Sequence, residues 1–168
     1  MKKSLTILIF VYSFIFSSVV QANTDKSLLN EGIIEKTVAL ANDGDSNAQN
    51  NLGVYYLNGY GFKQNYQEAK KWFQLAADQG NSNAQVNLGL LYKNGKGVQQ
   101  SYQEAKKWFQ FAADQGNSDA QILLGFLYAN GNGVQQSDQE AKKWLGIACD
   151  NGERFACIHY NELKQKAD

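Results

Sequence analysis

The sequence contains very little histidine and cysteine. His159 is its single histidine, and Cys149 and Cys157 are its two cysteines. A metal-dependent hydrolase site needs several histidines, so this composition excludes one. A catalytic histidine also needs a nucleophile and an orienting partner, and no motif around His159 supplies them. The sequence therefore predicts no metal site, no cofactor and a structural or solvent-exposed role for His159.

The chain also lacks an excess of charge of either sign, because 16 lysine and arginine residues balance 16 aspartate and glutamate residues. Loss of an N-terminal segment carrying Lys2 and Lys3 leaves 14 basic residues against 16 acidic ones, a net charge of −2. Domains that bind nucleic acid carry a basic excess on the binding face. The charge balance therefore gives no electrostatic reason for nucleic-acid binding.

Long hydrophobic runs are scarce, and the clearest one extends from Leu5 to Val20 behind Lys2 and Lys3. It is shorter than the roughly 20 apolar residues of a membrane-spanning helix, and "VQA" follows it with small residues ending at Ala22. This pattern is typical of a secretory signal peptide. We predict cleavage after Ala22 and a periplasmic or secreted protein without an integral membrane span. An uncleaved membrane anchor is the alternative.

Internal repetition dominates the rest of the chain. Three segments align without gaps at a period of 36 residues, over 48–83, 84–119 and 120–155. An N-terminal helix with a half copy occupies residues 23–47, and another half copy occupies residues 156–168. Repeats of this length are typical of solenoids, in which each unit buries its apolar face against its neighbours.

Each copy holds two helical stretches, which in the second copy cover Ala84–Lys93 and Tyr102–Asp114. Gly95 and Gly116 follow them, as is common at helix ends. No stretch shows the alternating pattern of a strand, so the fold class is predicted to be all-α. Capping boxes are predicted at the helix starts, with the pairs Ser82 and Gln85, Ser101 and Glu104, Asn65 and Glu68, and Ser137 and Glu140.

Two recurring residues indicate where the helices pack. A glycine recurs in the middle of each first helix, as Gly53, Gly89 and Gly125. Because a mid-helix glycine costs up to about 1 kcal/mol relative to alanine, its recurrence predicts close contact between helices. A tryptophan recurs among alanines in each second helix, and its fixed place predicts a core position for Trp72, Trp108 and Trp144.

These patterns resemble the Sel-1-like repeat family, the tetratricopeptide-related α/α solenoids. The matching motifs are A-x-x-x-L-G-x-x-Y, N-G-x-G-V and E-A-x-x-W-x-x-x-A-A-x-x-G, which together cover Ala48–Phe155. The resemblance implies a superhelix of stacked helix pairs. The chain departs from the family in having no proline after the "GV" motif, or anywhere else. Ser101, Ser137 and Asn65 retain the capping chemistry after this turn.

The two cysteines stand in the last copy, where they replace an alanine and a glutamine of the earlier ones. They flank a turn at Gly152, so their side chains can approach each other. Export to an oxidising compartment favours a disulfide, but free thiols and a zinc or redox role remain open from the residues alone. The resemblance extends to a bacterial cysteine-rich Sel-1-like subset with cysteine pairs of this spacing, and it implies a Cys149–Cys157 disulfide.

Positions that differ between copies on the first helices predict a solvent-facing stripe, because stacking requires sameness. The resemblance implies that these helices line a concave, partner-binding side. The predicted partner-binding residues are Asn50, Val54, Val86, Leu90, Lys93, Ile122 and Phe126. Neutral variation on an exposed face is the alternative interpretation.

The resulting functional hypothesis is an exported, non-enzymatic module that binds a protein or peptide partner, with possible association with the cell envelope. The alternative, implied by the cysteine-rich relatives, is a β-lactam-binding protein or a β-lactamase-type hydrolase. Neither Ser-x-x-Lys nor Lys-Thr-Gly, the motifs of the serine enzymes, occurs in the sequence. The sequence therefore favours the interaction module, and it predicts no catalytic residues.

Overall fold

The computed structural model describes residues 31–165, which form eight helices and, within that range, no strand. The all-α prediction is confirmed, and the predicted signal peptide, residues 1–22, lies outside the described residues. The helices are α1 (31–42), α2 (Ser46–Asn58), α3 (Tyr66–Asp78), α4 (Ser82–Asn94), α5 (Tyr102–Asp114), α6 (Ser118–Asn130), α7 (Asp138–Asp150) and α8 (Arg154–Gln165).

The helices stack in chain order to form a solenoid. The pairs α2 with α3, α4 with α5 and α6 with α7 each form one unit, and α3 packs on α4 as α5 packs on α6. Helix α8 packs on α7 and corresponds to the first helix of a further unit. We call the first helix of a unit helix A and the second helix B.

The recurring mid-helix glycines allow helices A and B of one unit to touch. A Cβ atom added to Gly89 would lie 2.5 Å from the ring of Phe109, and one added to Gly53 would lie 2.6 Å from the ring of Phe73. Both phenylalanines are fully buried. The prediction of close contact is confirmed, because the ring occupies the volume that any larger residue at the glycine would fill.

The helix-A starts differ from the prediction. The residue that caps α4 is Asn81, whose Oδ1 accepts a hydrogen bond from the Ala84 amide at 3.0 Å, while Ser82 is already helical. The predicted capping box of Ser82 with Gln85 is therefore wrong. Helix α4 begins at Ser82 itself, whereas a cap at Ser82 would require the helix to begin at Asn83. The helix-B cap is confirmed, since Ser101 Oγ accepts from the Glu104 amide at 3.2 Å.

The glutamine assigned to that box has a different role. Gln85 is only 5% exposed. Its Nε2 donates to the carbonyl oxygen of Ala77 in the preceding unit at 3.3 Å, and its Oε1 accepts from Gln115 Nε2 of its own unit at 2.7 Å. Buried polar groups need such partners, so a polar link crosses each junction between units. The equivalent buried residues in the other units are Gln49 and Gln121.

The tryptophans lie largely where the sequence predicts. Trp108 and Trp144 are buried, and each joins an apolar cluster that includes residues of the preceding unit. Trp72 is half-buried and packs against a smaller cluster formed by Ala41, Ala48 and Leu52. The core prediction is therefore confirmed for two of the three indoles.

Candidate functional site

The two cysteines form a disulfide in the structure, with their Cα atoms 4.6 Å apart. Cys149 lies in the last turn of α7 and Cys157 in the first turn of α8, so the bond spans the turn at Gly152. Helix α8 is thereby tied covalently to its neighbour. Within the described residues, no cluster of histidine, cysteine, aspartate and glutamate could hold a metal ion.

The predicted partner-binding stripe is not uniformly exposed. Val86 is 8% exposed and belongs to an apolar cluster with Phe109 and Leu124. Ile122 packs against the cluster around Leu145 near the α7–α8 turn. The expectation that Val86 faces solvent is wrong, because the following unit covers it, while Ile122 is half-buried and its binding role stays a prediction. Stacking tolerates different aliphatic residues there, so variation between copies did not indicate exposure.

The other predicted residues are half-buried on the surface of helices A. Asn50 accepts a hydrogen bond from Asn87, while Val54 and Leu90 flank the buried clusters of their own units. Lys93 and Phe126 are also half-buried. A partner-binding role for any of these residues stays a prediction.

The exposed surface of helices A follows a stripe rotated slightly from the predicted one. Its members are spaced i, i+4 and i+7, which places them on one face of each helix, and none of them is buried. We call this surface the A stripe. It consists of Asn47, Asn51 and Val54 on α2, Asn83, Asn87 and Leu90 on α4, Asp119, Leu123 and Phe126 on α6, and Phe155, His159 and Glu162 on α8.

Asparagine side chains link the first helices across the A stripe. Asn87 Nδ2 donates to Asn50 Oδ1 at 2.9 Å. Nearer the helix starts, Asn81 Nδ2 donates to Asn47 Oδ1 at 2.9 Å, and Asn117 Nδ2 donates to Asn83 Oδ1 at 3.1 Å. The sequence reasoning missed these residues, although asparagine recurs at the repeat period, at 47 and 83 and again at 81 and 117.

The other end of the A stripe is aromatic. The ring centroids of His159 and Phe126 are 5.0 Å apart, those of His159 and Phe155 are 4.6 Å apart, and those of Phe126 and Phe155 are 5.8 Å apart. His159 Nδ1 lies 2.9 Å from a Glu162 carboxylate oxygen. This cluster joins α6 to α8, and its member Phe155 is 55% exposed.

A recess of about 490 Å³ brings a serine and a lysine to one place, between Lys106, Tyr128 and Ser137. Both side chains already have structural roles. Ser137 Oγ accepts a hydrogen bond from the Glu140 amide as the cap of α7, and Lys106 Nζ lies 5.5 Å from the Tyr128 ring centre. A nucleophilic serine needs a base that contacts its hydroxyl, and no such contact is present within the described residues.

The stacked helix pairs and their mid-helix glycines agree with what comparisons with known proteins show. The Sel1 repeat matches residues 46–81, 82–117 and 118–153. The chain belongs to the Sel1 repeat family. Sel1 repeats are protein-interaction modules. The matched units begin two residues before those read from the sequence and keep the same length. No functionally curated protein matches this Sel1 repeat chain.

Solved structures of Sel1 repeat proteins share the fold. A Sel1 repeat protein from Oxalobacter formigenes is 36% identical, with a TM-score of 0.67 over 70% of this chain and 47% of the other. A protective antigen of uropathogenic Escherichia coli, c5321, is 35% identical, with a TM-score of 0.75 over 77% of this chain and 28% of the other. This chain thus spans about half or less of those proteins.

Helicobacter pylori cysteine-rich protein B is similar in fold, with a TM-score of 0.60 at 24% identity over 74% of this chain and 92% of the other. None of the described helices has both the length and the hydrophobicity needed to cross a membrane. The disulfide is compatible with an extracytoplasmic location, where such bonds persist.

Proposed function

We propose that this Sel1 repeat protein is an exported binding module whose helices A hold a protein or peptide partner. The observation that carries the proposal is the aromatic cluster of Phe126, Phe155 and His159 on the A stripe. Exposed apolar groups rimmed by polar ones mark interaction sites. Repeat solenoids use the extended surface of their stacked helices for binding, and the A stripe is such a surface.

Export is supported by two separate features. The start of the chain has the basic and apolar pattern of a signal peptide, with small residues ending at Ala22. The Cys149–Cys157 disulfide is of a kind that cytosolic reductants remove. Both features support a periplasmic or secreted location.

The partner-binding proposal is tested with the double variant Leu90→Asp and Phe126→Asp. Chemical cross-linking in the envelope fraction, followed by purification of the wild-type chain, should give a discrete cross-linked partner that the variant loses. The matched control is Leu75→Asp with Phe111→Asp, the same residue types on helices B, where they are 42% and 45% exposed. Helical circular dichroism should be unchanged in both. Equal cross-linking by both variants would place the interface elsewhere.

The alternative of a β-lactam-binding or β-lactamase-type protein finds no support in the recess at Ser137, whose hydroxyl caps a helix. Incubation of the purified chain with a chromogenic β-lactam is expected to give no turnover above buffer. Turnover that is lost in Ser137→Ala or Lys106→Ala would contradict the binding-module proposal and assign a hydrolase.

A further inference from the structure

The A stripe changes its chemical character along the solenoid. On α2 and α4 it consists of asparagines with one aliphatic residue per helix, and it carries no charge. On α6 and α8 its centre is Leu123, Phe126, Phe155 and His159. Stacking does not require this change, since the residues lie at the surface. The two ends of the stripe are therefore suited to different chemical groups.

The asparagine end has hydrogen-bonding capacity that the fold does not use. The bond from Asn87 to Asn50 occupies one amide hydrogen of Asn87 and the oxygen of Asn50. Among residues 31–165, no hydrogen bond involves Asn87 Oδ1 or Asn50 Nδ2. A side-chain amide offers two donors and an acceptor, so this pair presents one acceptor and one donor side by side. A residue of an extended peptide, whose own N–H and carbonyl point to the same side, is complementary to that arrangement.

The aromatic end of the A stripe offers an exposed apolar surface. Phe155 is 55% exposed and the neighbouring Ile158 is 57% exposed, while Phe126 and His159 are half-buried beside them. His159 Nδ1 also lies 2.9 Å from a carboxylate oxygen of Glu162 on the same helix. A large apolar side chain laid on these rings would remove them from water, which is favourable in proportion to the area covered.

We propose that the A stripe binds an extended, uncharged peptide segment of a partner protein. The main chain of that segment pairs with Asn87 of the stripe and with Asn50, which borders the stripe on α2, and one large apolar or aromatic side chain packs on Phe126, Phe155 and His159. This inference rests on the proposed function. Adjacent helices pack about 10 Å apart, so two steps span about 20 Å, or about six extended residues at 3.3 Å each. The absence of cations on the stripe of α2 and α4 disfavours a membrane surface or a nucleic acid.

The test begins with selection of phage-displayed random dodecapeptides on the purified chain. Selected sequences are expected to share one large apolar or aromatic residue next to an uncharged stretch of about six residues. Two peptide derivatives then probe the two ends. One carries alanine at the apolar anchor, and the other carries N-methyl groups along the uncharged stretch, which remove its backbone donors. Each derivative should weaken binding to the wild-type chain at least tenfold.

Protein variants assign each effect to its end of the stripe. Phe126→Ala should weaken binding of the parent peptide at least tenfold, with little further loss when the anchor is also alanine. Asn87→Leu should also weaken binding of the parent peptide at least tenfold, with little further loss when the peptide is N-methylated. The helix-B variants Leu75→Asp and Phe111→Asp should bind as the wild type does. Both peptide derivatives are also tested on the wild-type chain, so the inference can still be tested if one protein variant misfolds.

Three outcomes would overturn the inference. Selected peptides could lose binding in the Leu90 and Phe126 variants and yet be charged or insensitive to N-methylation. Such peptides would leave the proposed function intact and refute the inference of an uncharged segment held through its main chain. No selected peptide at all, or peptides insensitive to every A-stripe variant, would refute this inference, and the cross-linking experiment then decides the proposed function separately. Self-association of the chain that Phe155→Ala abolishes would instead assign the aromatic end to a second copy.

Discussion

Gln121 Nε2 donates a hydrogen bond to the carbonyl oxygen of Ala113, eight residues earlier, at 3.4 Å. The same bond joins Gln85 to Ala77 and Gln49 to Ala41. One unit further along, the equivalent two positions are Cys157 and Cys149, and there a disulfide makes the connection. The cysteines therefore replace a recurring buried hydrogen bond between consecutive helices with a covalent bond.

Removal of the disulfide is expected to release α8 before the rest of the solenoid. In Cys149→Ala with Cys157→Ala, amide exchange should rise from about Glu153 onward while Ala48–Asp114 stays protected, since stability in a stacked array is mostly local. The free energy of unfolding should fall by about 1–3 kcal/mol. Hydrogen exchange followed by mass spectrometry measures both effects.

The structure supplies a matched variant for this experiment. Cys149→Ala with Cys157→Gln recreates the alanine and glutamine pair of the earlier units, so it should keep more protection in α8 than the double-alanine variant. If both thiols of the unreduced wild-type protein react with a maleimide, the disulfide does not form, and its removal can no longer account for a loss of protection in α8.

Gly89→Ala should destabilise the protein by about 1–2 kcal/mol. The new methyl group would meet the Phe109 ring at 2.5 Å, and overpacking of this kind costs about 1–3 kcal/mol, partly offset by the better helix propensity of alanine. Urea denaturation measures the change. Gly146→Ala is the control, because its methyl group would lie 3.2 Å from the edge of Tyr160. Equal effects of both substitutions would contradict the close-contact role of Gly89.

Gln85→Leu should lower the free energy of unfolding by about 1–3 kcal/mol, because it removes two hydrogen bonds of a buried side chain, each of which contributes about 0.5–1.5 kcal/mol. The half-buried Gln110 donates only to Asp114 of its own helix within the described residues, so Gln110→Leu should change stability by less than about 0.5 kcal/mol. Thermal unfolding followed by circular dichroism compares the two. A neutral Gln85→Leu would show that apolar packing compensates for the lost bonds.

Cleavage after Ala22 is expected in cells that export the chain, and the mature protein should begin at Asn23. Intact-mass spectrometry of the protein recovered from the periplasm or the medium measures the N-terminus. A mass that retains Met1–Ala22 would refute cleavage and favour a membrane-anchored form.

The repeat period, the helix pairs and the packing of Gly89 could be predicted because identical residues recur at each stacking contact. The A stripe could not be predicted in the same way. Val86 stands at a position that differs between units and is nevertheless covered, since apolar packing accepts any aliphatic residue of similar volume. Gln85 follows Ser82 with the spacing of a capping box. A glutamine can serve either in such a box or as a buried link between helices, so the sequence pattern does not distinguish the two. Only the position of the neighbouring unit distinguishes these roles.

One asparagine side chain performs two tasks at the start of α4, and this affects how the units melt. Asn81 Oδ1 caps its own helix, while Asn81 Nδ2 holds Asn47 of the preceding unit. In a linear chain of coupled units, the same residue therefore contributes to the intrinsic stability of one unit and to its coupling with the unit before it. Asp45, at the equivalent place before α2, caps its helix through a carboxylate, which has no hydrogen to donate. Fraying of α2 therefore breaks a hydrogen bond to the cap of the next helix A at Asn81, whereas the cap of α2 itself makes no such bond to the described residues before it.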